Sequence, residues 1–350
     1  MRQDDEHAAF ERPRRRTRPR TKDRPNYDDA PLARVVTIDR GRFTLRLLDP
    51  DLPPTAGLVT AMKSRPIGRQ GVVVGDEVKV VGDVSGADGT LARIVEVLPR
   101  RTVLRRTADD DDPIERVVVA NADQLVVVTA LADPPPRPGL IDRCLVAAFE
   151  AGMEPLVCLT KSDLGSPDEM LALLEPLDVR TVVTRRSGTG PGDDERGDGM
   201  ESLDELREAL AGRVSVFIGH SGVGKSTLVN ALVPGTGRIT SHVNEVTGRG
   251  RHTSTSALAI ELEPTDGGDG GWIIDTPGFR SFGLAHVQVD DVLRAFPDLD
   301  DATRDCPRGC THAATEPECA LDLAVAAGTL PTARVESFRR IVAAKDTTAW

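Results

Sequence analysis

Hydrophobic and polar positions change rhythm three times along the chain. From Ala33 onward, short stretches alternate apolar and polar residues at Arg34–Ile38, Arg42–Leu48, Gly71–Val74, Glu77–Val81 and Leu91–Val97. Turn-forming runs such as Asp39-Arg40-Gly41, Val74-Gly75-Asp76 and Gly86–Gly89 separate them. Five short strands so closely spaced predict a small closed barrel of the OB or SH3 kind. The acidic run Asp109–Asp112 then breaks the pattern and reads as a linker. Beyond it the texture is β/α. Apolar runs at Arg116–Ala120, Gln124–Thr129, Pro155–Thr160, Val179–Thr184, Val214–Ile218 and Gly271–Ile274 predict buried parallel strands. Helical patterns lie between them at Leu140–Ala151, Pro167–Leu174, Leu203–Ala211 and Ser226–Val233. Such a doubly wound sheet binds ligands at the carboxyl ends of its strands. Gly188–Gly199 is a polar loop within it.

Composition narrows the classes. The 350 residues carry a net charge of −11, so nucleic-acid binding would have to use a local patch. Aromatic residues make up 3 %, too few for a surface of base-stacking rings. No apolar run approaches the roughly eighteen residues a membrane span needs, and the Arg-rich N-terminus has no apolar signal core. The expectation is a cytoplasmic, monomeric protein without membrane contact. Residues 1–31 read as a disordered arm whose cluster from Arg12 to Arg24 is either a solvated tail or an electrostatic arm for RNA.

The strongest chemical signal is Gly219-His220-Ser221-Gly222-Val223-Gly224-Lys225-Ser226, followed by Thr227. It matches G-x-x-x-x-G-K-[ST] between a strand and a helix. Its glycines let backbone N–H groups turn inward around phosphates, Lys225 can reach the β/γ-phosphates, and the Ser226 hydroxyl can ligate Mg²⁺. Asp275-Thr276-Pro277-Gly278 ends the last apolar strand, where Asp275 can hold Mg²⁺ through water and the Gly278 N–H can touch the γ-phosphate. Between them, Thr253 is the candidate second Mg²⁺ hydroxyl. Thr160-Lys161-Ser162-Asp163 ends another strand. A carboxylate there can accept from both N1–H and the exocyclic amine of guanine, which adenine cannot supply, while the Lys161 stem lies over the ring. The tetrapeptide resembles the N-K-x-D motif of GTPases with Thr in place of Asn. Here the base motif precedes the phosphate loop, an order that circular permutation produces without disturbing the site. Cys306-x3-Cys310-x-His312-x6-Cys319 offers three thiolates and an imidazole, a donor set suited to one closed, tetrahedral, structural Zn²⁺. Cys144 and Cys158 fall in apolar segments and read as core.

In this combination and order the chain resembles the circularly permuted, ribosome small subunit-dependent GTPase A family of bacteria. The resemblance implies three units: an N-terminal OB-like β-barrel (32–107), a central α/β circularly permuted P-loop GTPase domain (108–283) and a C-terminal helical zinc-binding domain (284–350). It implies a GTP hydrolase that assists late maturation of the small ribosomal subunit and contacts its rRNA, with turnover stimulated by that subunit. The departures are Thr160, the cysteine spacing, the Arg-rich arm, and Arg185-Arg186-Ser187-Gly188 where the family has a Ser-containing guanine loop. Where many GTPases carry a water-orienting Gln the chain has Phe279, so another group must act. The candidate is His252, beside Thr253, with His220 a weaker alternative. The competing readings are an RNA-binding zinc/OB module whose nucleotide site only binds, and an ATPase, which Asp163 opposes.

Overall fold

The computed structural model describes residues 26–49, 51, 57–68, 71–107, 115–186, 200–233, 257–264, 270–276, 284 and 287–345. Most of the basic arm, the acidic linker run, the Gly188–Gly199 loop, and His252, Thr253, Gly278 and Phe279 lie outside the described residues.

Five strands form the barrel: β1 (Leu32–Asp39), β2 (Arg42–Leu47), β3 (Leu58–Lys63), β4 (Glu77–Gly82) and β5 (Ala92–Val97). They close in the order β1-β2-β3-β5-β4, with β1 antiparallel to β4. Alternate residues point inward, so Val35, Leu45, Val59, Val78, Val80 and Ile94 fill the interior. Arg40 and Gly41 both have positive φ, as the two-residue hairpin between β1 and β2 requires.

Two expected strands are corrected. Gly71–Val74 is not a barrel strand. The Asp76 carboxylate accepts the Val73 N–H at 2.8 Å and Arg100 Nη2 donates to the Gly71 carbonyl at 2.8 Å, so these backbone groups bond to side chains instead of a ladder. The barrel's third strand is β3, whose Ala61 gives only a weak apolar signal. Residues 116–120 do not join the parallel sheet either. They belong to β7 (Glu115–Ala120), which pairs antiparallel with β6 (Val103–Thr107) as a separate ribbon. Asn121, at φ 59°, then turns the chain into β8 (Gln124–Ala130).

The main sheet adds α1 (Pro138–Glu150), β9 (Glu154–Thr160), α2 (Asp168–Leu174) and β10 (Arg180–Val183). The short strands β11 (Arg185–Arg186) and β12 (Met200–Glu201) pair as a hairpin beyond it. Then come α3 (Leu203–Leu210), β13 (Val214–Gly219), α4 (Lys225–Leu232), β14 (Leu258–Glu261) and β15 (Trp272–Asp275). Strand order is β10-β9-β8-β13-β15-β14, parallel except for the antiparallel edge strand β14. Side chains alternate between two cores. Val126, Leu156 and Phe217 face α3 and α4; Val127, Val157 and Val216 face α1.

The C-terminal segment builds α5 (Val289–Leu293), α6 (Pro297–Thr303), α7 (Ala320–Ala326) and α8 (Thr332–Ala344). It shares the α1 core rather than forming one of its own. Phe296 meets Phe149 and Phe338 edge-to-face at centroid distances of 5.1 and 5.7 Å. Asp142 on α1 pairs with Arg340 on α8 at 3.0 Å, and Arg143 Nη1 donates to the Ala344 carbonyl at 2.9 Å.

Candidate functional site: a nucleotide cradle and a thiolate cluster

The phosphate loop sits where β13 hands over to α4, at the centre of the sheet and at its carboxyl edge. Gly222 and Gly224 have φ of 85° and 91°, conformations that glycine adopts without steric cost. Gly219 is needed for space, since a Cβ there would lie 2.6 Å from the Val128 carbonyl oxygen. Buried Val223 pins the loop to the core, and Lys225 opens α4, whose free N–H groups carry the positive end of the helix dipole. Ser226 is exposed beside it. His220 Nδ1 lies 3.0 Å from the Ser221 carbonyl of the same loop.

Asp275 ends β15 next to β13, because parallel pairing sets Phe217 opposite Asp275. Its carboxylate forms an ion pair with Lys225, and Lys225 Nζ also donates to the Thr276 carbonyl at 2.5 Å. Thr276 is fully buried and donates to the Phe217 carbonyl at 2.7 Å, which locks this strand end against the phosphate-loop strand.

Thr160–Asp163 follows β9, two strands from β13. The Thr160 hydroxyl lies 2.6 Å from the Val223 carbonyl and so ties the base motif to the phosphate loop. Thr at this position thus retains the loop tether that the Asn of N-K-x-D would provide. Thr160→Val removes it, and loss of one buried hydrogen bond should weaken GTP binding about 3- to 10-fold in a nucleotide titration. Lys161, at φ 60°, hydrogen-bonds the Asp133 carbonyl. Ser162 Oγ donates to the Thr184 carbonyl at 3.2 Å, and exposed Asp163 accepts the Arg186 N–H at 3.3 Å. The β11 segment, which the motifs left without a role, therefore lies against Asp163. Its sequence signal was position alone: it follows the apolar run of β10.

The matching family is described as RsgA GTPase, and it matches residues 97–285, more than half of the chain. The chain belongs to the RsgA GTPase family. Among relatives, a protein of Pseudomonas aeruginosa strain LESB58 is 43% identical over 256 residues, which cover 73% of this chain and 71% of that protein. One of Ectopseudomonas mendocina is 41% identical over 275 residues, covering 78% of this chain and 74% of that protein. Both are named small ribosomal subunit biogenesis GTPase RsgA. Among solved structures, YjeQ of Thermotoga maritima matches with TM-score 0.63 at 24% identity, over 91% of this chain and 99% of that one. YloQ, titled a circularly permuted GTPase, matches with TM-score 0.60 at 23% identity, over 94% of this chain and 100% of that one. These two support the fold. As a member of the RsgA GTPase family the chain is a GTP hydrolase, and its base-motif-first order is the permuted one.

In the C-terminal segment Cys306, Cys310, His312 and Cys319 bring one ligand atom each to within 4.8 Å of all the others. His312 Nδ1 lies 3.6, 3.5 and 3.9 Å from the Sγ atoms of Cys306, Cys310 and Cys319. Tetrahedral bonds of about 2.3 Å to sulfur and about 2.0 Å to nitrogen would place such atoms about 3.6 Å apart, so the set fits a metal ion. Burial pushes the Cys306 thiol up to about 11, with Cys319 and Cys310 adding to it, and burial lowers His312. A cation among them favours the thiolates, and a neutral imidazole is the ligating form. The N–H groups of Ala320 and His312 point at Cys306 and Cys310 sulfurs at 3.3 and 3.4 Å, and Arg339 holds the His312 carbonyl at 2.8 Å. Cys144 and Cys158 are fully buried in the cores, where burial pushes both thiols up to about 12. Among the described residues no helix is long and apolar enough to cross a membrane.

Proposed function

We propose that this chain is a cytoplasmic, monomeric GTPase that binds the small ribosomal subunit and its rRNA, assists late maturation of that subunit, and turns over GTP faster when bound to it. The observation that carries this is the 43% identity with a relative named for small ribosomal subunit biogenesis. Thr160–Asp163 holds the guanine base, residues 219–227 cradle the phosphates, and Ser226 with Thr253 holds Mg²⁺, with Asp275 acting on the ion through water and the Gly278 N–H on the γ-phosphate. Lys225 and Thr253 stabilise charge as it develops on the γ-phosphate. His252 orients the attacking water once the subunit is engaged. One structural Zn²⁺ is held by Cys306, Cys310, His312 and Cys319.

The test is GTP turnover with and without purified small subunits. Turnover by the free protein is expected near that of unassisted small GTPases, roughly 10⁻⁴ to 10⁻³ s⁻¹, rising at least about tenfold with subunits. Lys225→Ala removes turnover under both conditions, whereas His252→Ala keeps GTP binding and loses only the stimulation. Equal rates with and without subunits would refute the ribosomal role, and binding without hydrolysis in both would leave a nucleotide-responsive RNA-binding module.

A further inference from the structure

Among the described residues the edge strand β14 pairs with β15 on one side only, in a register that sets Leu258 opposite Asp275 and Glu261 opposite Trp272. The barrel holds this hairpin at both ends. At the Asp275 end, the buried Thr37 hydroxyl donates to the carbonyl of Ala257, the residue before β14, at 3.2 Å. At the far end, Arg46 Nε donates to Glu261 Oε2 at 3.0 Å, with the Arg46 side chain only 4% exposed. There too the Arg34 guanidinium lies over the Trp272 ring, 4.9 Å from its centroid. Between the ends Gly75 packs so closely that a Cβ would lie 3.3 Å from Ile274 Cδ1 and 2.1 Å from the Ala120 carbonyl oxygen.

A four-residue edge strand has few ladder bonds to fix its register, so contacts on its free side decide where it lies. Its first residue is the cross-strand partner of Asp275, and Asp275 is bonded to Lys225 of the phosphate loop. We propose that Thr37 and Arg46 of the barrel are positioning residues for GTP hydrolysis, fixing β14 and thereby setting Asp275 against Lys225. The inference rests on the GTPase reading of this site and adds which barrel residues set its geometry.

The test uses the full-length protein without ribosomal subunits, in single-turnover hydrolysis alongside GTP affinity and thermal unfolding. Thr37→Val is expected to lower the hydrolysis rate about 2- to 10-fold, the worth of one hydrogen bond, with GTP affinity changed less than about twofold. Thr37→Ser, which keeps the donor, restores the rate. Arg46→Glu lowers it similarly, and adding Glu261→Arg recovers most of the loss. In a Trp350→Phe background Trp272 is the remaining tryptophan, and its emission shifts on GTP addition in the wild-type interface but not in Arg46→Glu. Rates unaffected by Thr37→Val and Arg46→Glu would overturn the proposal. So would losses that follow the melting temperature and are not recovered by Thr37→Ser or the charge exchange. Because no subunit is present, a failure of ribosomal stimulation would count against the ribosomal role alone.

Discussion

Asp163→Asn is expected to lower GTP affinity by about 10- to 10²-fold, because one hydrogen bond to a charged acceptor, worth about 1.5–3 kcal/mol, is lost. The amide presents an N–H₂ group to guanine's own exocyclic donor, so repulsion adds to the loss. The same amide can donate to the exocyclic carbonyl of xanthine while its oxygen still accepts from N1–H. Xanthosine triphosphate should therefore become the preferred ligand. The fold should be spared, since Asp163 is exposed and its hydrogen bond among the described residues is with the Arg186 N–H at 3.3 Å. Competition titrations with both nucleotides, alongside a melting curve, provide the measurement. Unchanged GTP affinity would remove Asp163 from the base pocket.

Cys310→Ser is expected to reduce bound zinc from about one ion per chain to below about 0.1, since a serine hydroxyl is a poor substitute for thiolate. The consequence for the fold depends on what else holds the segment. Taken by its length, a C-terminal element this small would depend on its metal for folding. The shared core changes that expectation. Helix α8 is held to α1 by the Asp142–Arg340 and Arg143–Ala344 contacts and by the Phe149, Phe296 and Phe338 cluster. Hydrogen exchange should accelerate across residues 306–320, while α8 keeps its protection and GTP affinity stays within about twofold. A chelator should act likewise, because the cluster opens on a pocket of about 490 Å³ lined by Cys306, Cys310, His312 and Asp290. Freshly purified protein without zinc would contradict the assignment, and loss of protection throughout α8 would show that packing on α1 is insufficient.

The chemistry was legible from the sequence because it is local. A phosphate loop needs its glycines, lysine and hydroxyl within eight residues of one strand–loop–helix unit, and the base motif and cysteine cluster are similarly compact. Each can be read where it stands, and the strands carrying them, β9, β13 and β15, fall close to their expected bounds. The four thiolate-cluster residues do converge, as their spacing required. By contrast, the role of Thr160 depended on a carbonyl 63 residues away, and only the strand order β9-β8-β13 brings Val223 to it.

Strand identity showed the same division. Periodicity identified the apolar run at 116–120, but whether it joins a parallel sheet or a ribbon depends on its partner, and the partner is β6. Gly71–Val74 has the composition of a strand, yet the Asp76 side chain takes up the Val73 N–H and the Arg100 side chain the Gly71 carbonyl. The sequence by itself marked the candidate residues for phosphate, guanine and metal, because those capacities reside in side chains and short backbone turns. Tertiary structure alone decided that the barrel holds the β14–β15 hairpin, that β11 reaches Asp163, and that the C-terminal helices share the α1 core. Contacts between residues tens to hundreds of positions apart are fixed by packing and register, which no local pattern encodes.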